Sequence, residues 1–504
     1  MRRLLVAVVG LFVACSPRLD GEPPPPDAGV STGTGGFGGG SALGGGSGST
    51  WGGTAGGAGY NAGQPGGLGV VTGGAQDFSF IRAQVDAGLV PKAEDFVTEG
   101  LFAEHDLPLA SPPCQQLLCL DVAESTTPAA DGGLEHWVQL GMASGLSEAT
   151  FARPALDVAA VLDRSCSMDG ERFASAKTAL QALVDKLGPD DTLSLTQFDD
   201  TAQLVQATVP VTNRAALKQV IAGLSIGGST CIECGLAVGY AQLAQLAPSA
   251  ARERRVILMT DAQPNVGGTQ AGDFVPLLET NAAEGRHLTA MGLGLDFGQA
   301  LVSKLSATRG ANFVFLADNQ RLRTVFDQDF DFLVTPLAFD LETTFAVDPA
   351  LSMTAMYGVP GVDPAAGQLT SKVATLFLSR SSSGGALLAR LSGPLPANGT
   401  LAHLTLRYAT VDLGAVTQQL DALAPSGPPP AFAEPGVEKT VALARFVELA
   451  KAACGAHHAG DGASARQLAD EAIAVLTQAR ASTGDAALDA EVQLATALRA
   501  LLGP

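Results

Sequence analysis

Two short apolar runs, each stopped by an aspartate, constrain this chain more than any other feature. Leu156 to Leu162 (LDVAAVL) ends in Asp163, and Arg255 to Thr260 (RVILMT) ends in Asp261. The first is rich in β-branched and aliphatic residues and lies between Pro154 and Gly170. Such a run reads as a strand buried on both faces, the kind found in the middle of a parallel sheet. In open α/β sheets, ligands bind outside the carboxyl ends of the strands. The turn after the first run carries Asp163, Ser165 and Ser167 within five residues. Three hard oxygen donors so placed suit a hard divalent cation.

The sequence around these runs alternates strand and helix. Arg172 to Leu187 carries Phe173, Ala176, Leu180, Leu183 and Leu187 at helical spacing. Thr192 to Phe198 and Leu204 to Val211 read as strands, and Asn213 caps a helix that runs to Leu224. Further helices are expected over Glu233–Leu246, Phe274–Ala283, Leu301–Thr308 and Gln320–Phe330, with strands over His287–Leu295 and Asn312–Leu316. Repeated alternation over residues 153–333 predicts an α/β unit with a doubly wound, mostly parallel sheet.

The rest of the chain is organised differently. Arg2 and Arg3 precede a short apolar run, Leu4 to Val13, too short to span a bilayer as a mature helix. Phe12-Val-Ala-Cys15 resembles a bacterial lipobox, so residues 1–15 read as a lipoprotein signal peptide with Cys15 as the lipidated residue. Ser16 is not the Asp associated with inner-membrane retention, which favours an outer-membrane anchor. Residues 16–76 are rich in Gly, Ser and Pro and read as a tether. Residues 77–152 form an N-terminal segment containing a short helix and two strands. Residues 334–424 show short strands separated by turn residues, which predicts a β-sandwich-like domain. A Pro-rich linker, 425–435, leads to Ala-rich helices over 436–504.

Composition narrows the partners. The formal net charge is −20, from 50 acidic and 30 basic residues, which argues against nucleic acid. Beyond Cys15 there are six cysteines: Cys114, Cys119, Cys166, Cys231, Cys234 and Cys454. An even number in an exported chain points to disulfides, but six allow fifteen pairings. Cys114 and Cys119 are close enough to bridge a turn. No H-E-x-x-H or G-x-S-x-G pattern is present, and the Gly-rich tract neither follows a strand nor opens a helix, so no phosphate loop is expected there.

Asp163-x-Ser165-x-Ser167, Thr230 within Gly-Gly-Ser-Thr, and Asp261 after RVILMT together resemble the metal-ion-dependent adhesion site of a von Willebrand factor type A domain. The resemblance covers about residues 155–333 closely. DFSFIRAQVDAGLVPKAEDFVTEGLF and WVQLGMAS before it, and FDFLVTPLAFDLE after it, are similar to the flanks of a bacterial group of exported or lipid-anchored type A proteins. The resemblance implies metal ligation by Asp163, Ser165, Ser167, Thr230 and Asp261. It also implies one coordination position left for an Asp or Glu carboxylate of a protein partner. Hydroxyls are neutral donors, so two carboxylates leave a divalent ion electrophilic. Mg²⁺ suits this donor set best, with Ca²⁺ or Mn²⁺ as alternatives.

Three positions depart from the family pattern. Cys166 stands where Gly is common, Cys231 follows Thr230, and Ala262 replaces the usual Gly after Asp261. A disulfide from Cys166 to Cys231 or to Cys234 would tie two ligand loops together. Cys231-Ile-Glu-Cys234 also admits a thiol-redox reading, and the three cysteines admit zinc. The expectation is a non-enzymatic, lipid-anchored binding protein of the cell envelope. A metal-free envelope scaffold and a thiol-redox protein are the alternatives.

Overall fold

A computed structural model describes residues 67–503, apart from 110–112, 130–131, 150, 296, 364, 366–368, 381–384 and 411–413. The expected signal peptide, Cys15 and the tether as far as residue 66 lie outside the described residues.

The described chain opens with β1 (Gly67–Thr72), β2 (Gly74–Ala75), α1 (Ser79–Asp86), α2 (Thr98–Glu104), β3 (Cys119–Pro128) and β4 (Leu134–Ser147). The alternating block follows as β5 (Ala155–Asp163), α3 (Glu171–Lys186), β6 (Thr192–Phe198), β7 (Ala202–Pro210), α4 (Arg214–Ala222), α5 (Ile232–Ala244) and β8 (Arg252–Thr260). It continues as α6 (Ala271–Ala283), β9 (Arg286–Gly292), α7 (Gln299–Ser306), β10 (Asn312–Phe315) and α8 (Asn319–Thr324), which passes through a π turn into α9 (Phe330–Leu333). Then come β11 (Pro336–Val347), β12 (Ser352–Tyr357), β13 (Thr370–Ser379), β14 (Ala386–Ser392), β15 (Thr400–Thr410), β16 (Gly414–Leu423) and β17 (Ala431–Phe432). Three helices close the chain: α10 (Pro435–His458), α11 (Gly462–Thr483) and α12 (Leu488–Leu501).

The block forms a seven-stranded sheet in the order β2-β10-β9-β8-β5-β6-β7. Every neighbouring pair is parallel except β6 with β7. The chain runs outward from β5 through β6 and β7, then returns to build β8, β9 and β10 on the other side. The strand order therefore reverses between β5 and β8, the point where open α/β sheets hold their ligands. Both faces of β5 are covered. Val158, Ala160 and Leu162 join a core with Phe173, Leu180 and Leu183 of α3 and Leu217 and Ile221 of α4. Ala159 and Val161 face Leu236 and Tyr240 of α5 and Phe274 and Leu278 of α6. This two-sided burial is why β5 is written as a continuous apolar run rather than an alternating one.

The second sheet has ten strands and joins both sides of the block. Its main path is β12-β14-β4-β1-β13-β11-β15-β16, with β3 paired to β4 and β17 to β3. Leu68, Val70, Leu140 and Met142 from before the block share one core with Leu341, Leu376, Leu404 and Leu406 from after it. The segments expected as separate units, 77–152 and 334–424, thus contribute to one sheet, and the α/β block is inserted between β4 and β11. The reason is physical: a strand pattern reports which face is apolar, not which strand lies beside it. The Gly-rich tract read as a tether through residue 76 also ends earlier. Gly67–Thr72 pairs with β13 and β4 in the interior of this sheet, and Leu68 and Val70 are buried.

The closing helices dock on this frame. Trp137 of β4 is fully buried, with the guanidinium groups of Arg390 and Arg445 at 5.5 and 5.1 Å from its ring. Glu448 of α10 accepts hydrogen bonds from the Tyr357 hydroxyl and from Arg390. No helix among the described residues is long and apolar enough to cross a membrane.

Candidate functional site

Asp163 is the last residue of β5 and is fully buried. Its Oδ1 accepts the backbone N–H of Ser165 at 2.9 Å, closing the turn with the side chain, as Asx turns do. Its Oδ2 accepts the hydroxyl of Thr260 at 2.6 Å, so the ends of β5 and β8 are joined through one carboxylate. Burial, with the nearby Asp261 charge, pushes the Asp163 carboxyl up to about 6 against the lowering effect of these hydrogen bonds. The next residues form a single 3₁₀ turn, Cys166–Met168, whose Met168 is sealed in the core. That turn brings the hydroxyls of Ser165 and Ser167 to 3.1 Å from each other.

The second loop, 224–231, is fastened to the first by backbone. Cys166 N–H donates to the Gly228 carbonyl at 2.9 Å, and Gly227 N–H donates to the Arg164 carbonyl at 2.6 Å. It ends in Thr230, which is buried, and in the start of α5. This helix begins close to the sheet because Gly235 and Gly239 face it. A Cβ at either position would stand 2.5 Å from Phe198 or 2.6 Å from Val161. The third loop, 261–270, is fastened to the second by Asn265. Its side chain accepts Thr230 N–H at 2.8 Å, and the N–H groups of Asn265 and Val266 donate to the Thr230 carbonyl at 3.1 and 3.2 Å. Asp261 is fully buried, and Arg172 of α3 reaches its Oδ2 at 3.4 Å.

The five residues singled out in the sequence therefore stand on three adjoining loops at the carboxyl ends of β5 and β8. Two buried carboxylates and three hydroxyls make a set of oxygen donors that fits a hard divalent cation. Among the described residues no group of three or more His, Cys, Asp or Glu side chains is placed to hold a metal, so a cation here would depend on hydroxyl donors beside the two carboxylates. Ala262, where the resemblance expects Gly, has φ of +53°. Several participants escaped the sequence reading. Thr260 and Asn265 orient the loops, Arg164 pairs with Asp199 beneath the second loop, and Arg172 reaches in from α3. Only Thr260, next to Asp261 at a strand end, carried any positional signal.

The cysteines divide. Cys114 and Cys119 are bonded across the turn before β3, with an S–S distance of 2.08 Å. Cys231 is bonded to Cys234 within the first turn of α5, at 1.98 Å, a pairing outside the two expected for the ligand loops. Cys166 is not a free thiol, and its Sγ lies 3.0 Å from the Gly227 carbonyl oxygen. Cys454 is the free cysteine among the described residues. Burial pushes its thiol up to about 12, with Asp95 adding to the effect.

Known proteins place this geometry. The family model "von Willebrand factor type A domain" matches residues 157–328. An uncharacterised Synechocystis protein, sll0103, is 28% identical over 183 residues, covering 35% of this chain and 41% of its own length. The human inter-alpha-trypsin inhibitor heavy chain H4 is 30% identical over 168 residues, covering 31% of this chain and 17% of its own length. The chain thus spans well under half of either relative. Among solved structures, a von Willebrand factor type A protein from Catenulispora acidiphila superposes with a TM-score of 0.49 at 15% identity, over 72% of this chain and 87% of that one. The ArnB paralog VWA2 from Sulfolobus acidocaldarius gives 0.40 at 14% identity, over 76% and 98%. The doubly wound sheet and the matched span agree: residues 157–328 of this chain are a von Willebrand factor type A domain.

Proposed function

We propose that this protein is an exported binding module that holds a protein partner through a divalent cation. Type A domains commonly mediate protein–protein contact, and this reading gives the contact a chemistry. Asp163, Ser165, Ser167, Thr230 and Asp261 would hold the ion, Mg²⁺ in the first instance. The bound ion supplies a Lewis-acidic position that an Asp or Glu of the partner can fill. The observation that carries the reading is the buried pair Asp163 and Asp261: Asp163 accepts from the Ser165 N–H and the Thr260 hydroxyl, and Arg172 approaches Asp261 at 3.4 Å. A charge buried in this way is costly unless a cation accompanies it. The chain's own residues do the rest. Thr260 and Ser165 aim Asp163, Asn265 holds the Thr230 loop, and the Cys231–Cys234 bond closes the turn that follows Thr230. Cys15 would carry the lipid anchor in the outer membrane, and the Gly-rich tract would let the module reach its partner.

The test is a calorimetric titration with Mg²⁺ and Mn²⁺. Wild-type protein is expected to bind one ion, and Asp163→Ala to lose about a hundredfold in affinity, at the upper end of what loss of even an outer-shell partner costs. Equal heats from the two proteins would defeat the reading. For the anchor, growth with labelled palmitate should mark the wild type and not Cys15→Ser.

A further inference from the structure

Arg172 has no place in the ligand set, yet it is built into the site. It leaves the first turn of α3, and its Nη1 donates to the Ser167 carbonyl at 2.8 Å and approaches Asp261 Oδ2 at 3.4 Å. It therefore bridges the first ligand loop to the carboxylate that opens the third. Space for it is provided from a fourth segment. Gly294 follows β9 with φ of +82°, and a Cβ there would stand 2.3 Å from Arg172 Nε and 2.7 Å from its Cδ. The Arg172 side chain is 27% exposed while Asp261 is fully buried, so the arginine is the solvent-facing member of the pair. Guanidinium is charged at every working pH, hence this is a permanent positive charge at the rim.

We propose that Arg172 is a tethered counter-cation of the site: it neutralises Asp261 and holds the Ser167 turn while no divalent ion is present, and it opposes the ion when one binds. The inference rests on the metal-binding reading above and deepens it. A rim cation has two opposite effects on such a site. It keeps the empty loops together, which favours binding by preorganisation. It also repels a second cation at short range in a partly dry setting, where charges act strongly. With Asp261 already anchored by backbone, through Gly298 N–H to its carbonyl at 2.9 Å, the repulsion dominates. Arg172 would then set the affinity low enough for the ion to respond to its supply outside the cell, rather than to be held permanently.

The experiment uses the full chain and the metal alone. Mn²⁺ and Mg²⁺ are titrated by calorimetry into wild type, Arg172→Met, Arg172→Gln, Arg172→Lys and Asp163→Ala, with chelated samples melted in parallel. The neutral Met and Gln variants are expected to bind the ion about tenfold more tightly than wild type. They should melt lower when chelated and show a larger metal-induced rise in melting temperature. Arg172→Lys, which keeps the charge, should stay within about threefold of wild type. A merely structural arginine would lower the chelated melting temperature without tightening the metal. If both neutral variants bind as wild type does, or more weakly, the inference is overturned while the metal reading stands. If Arg172→Met unfolds, Arg172→Gln carries the same test. If no variant and no wild-type sample binds either ion, the metal reading falls and takes this inference with it. Binding by Arg172→Met alone would support it outright.

Discussion

Asp163 and Glu491 are sealed from solvent to the same degree, at 0% and 1% exposure, yet their carboxyls are driven in opposite directions. Burial pushes Asp163 up, and the hydrogen bonds it accepts do not undo that. Burial also works to raise Glu491, but it is overcome by the Arg82 charge and by the hydrogen bond and charge of His105, leaving this carboxyl well below the usual range. Glu491 lies on α12 and meets Arg82 of α1 at 2.7 Å and His105, just after α2, at 3.2 Å. Arg82 also pairs with Glu104 at 2.6 Å. The clamp between the N-terminal and C-terminal helices thus carries its own cations. At the site loops Arg164 is taken up by Asp199 and Arg172 approaches Asp261, while Asp163 accepts from the Ser165 N–H and the Thr260 hydroxyl. The contrast separates a buried charge that fastens the fold from one that the proposed cation would neutralise.

Neutralising the two carboxylates is the direct way to break this contrast. Glu491→Gln strands part of the Arg82 charge in a dry setting, and removing one partner of a buried pair costs about 3–5 kcal/mol. The expected loss is near the lower end, about 3 kcal/mol, because Glu104 still faces Arg82. Hydrogen exchange should show it first at α12 and α1, with the denaturation midpoint of the whole chain lowered as well.

Asp163→Asn should do the reverse. With no metal, an amide keeps the shape of the turn and removes the unfavourable buried charge. A carboxyl raised from 3.8 to about 6 implies up to about 3 kcal/mol at neutral pH, and about 1–2 kcal/mol is expected after the amide's imperfect fit to the Thr260 hydroxyl. Chelated Asp163→Asn should therefore melt higher than chelated wild type while losing metal binding, the usual trade between a functional site and stability. If both substitutions shift stability in the same direction, the two carboxylates do not differ as described.

The legible and illegible parts of the molecule divide along the same line. β5 and β8 could be read because a strand buried on both faces has a local signature, and with them the placing of Asp163 and Asp261 at the strand ends. Asn213 could be read as a cap, and its side chain does accept Ala216 N–H at 3.1 Å. What failed was non-local. β1 hides in Gly-Leu-Gly-Val-Val-Thr at the end of a low-complexity tract, and its partner β13 lies some 300 residues further on. The clamp joins Arg82 to Glu491, and Arg172 joins Asp261 across 89 positions, with nothing in either neighbourhood to announce a partner. Pairing across such distances is set by the assembled sheet, so composition and period cannot reveal it. The Cys231–Cys234 bond was visible as a spacing but not as a choice among pairings.

The finest distinction between the two regions is in the backbone. The clamp sits on ordinary helices, whereas the turn after Asp261 holds Ala262 at φ of +53°. A non-glycine residue in the left-handed region costs about 1–2 kcal/mol. The conformation is imposed from two sides: Ala262 N–H donates to Thr260 Oγ1 at 2.9 Å, and Gly298 packs so closely that a Cβ there would meet the Ala262 carbonyl at 2.1 Å. Ala262→Gly relieves the strain but gives up a methyl group buried beside Phe297, worth about 0.8 kcal/mol, and it loosens the unfolded chain. The gain and the losses offset, so a change within about 0.5 kcal/mol of zero is expected by chemical denaturation. Ala262→Val discriminates, because a β-branched residue is a poor tenant of this region. It should destabilise by about 2 kcal/mol and weaken metal binding through the Asp261 backbone. An unchanged Ala262→Val protein would mean that this turn relaxes freely, and that the site is no more strained than the clamp.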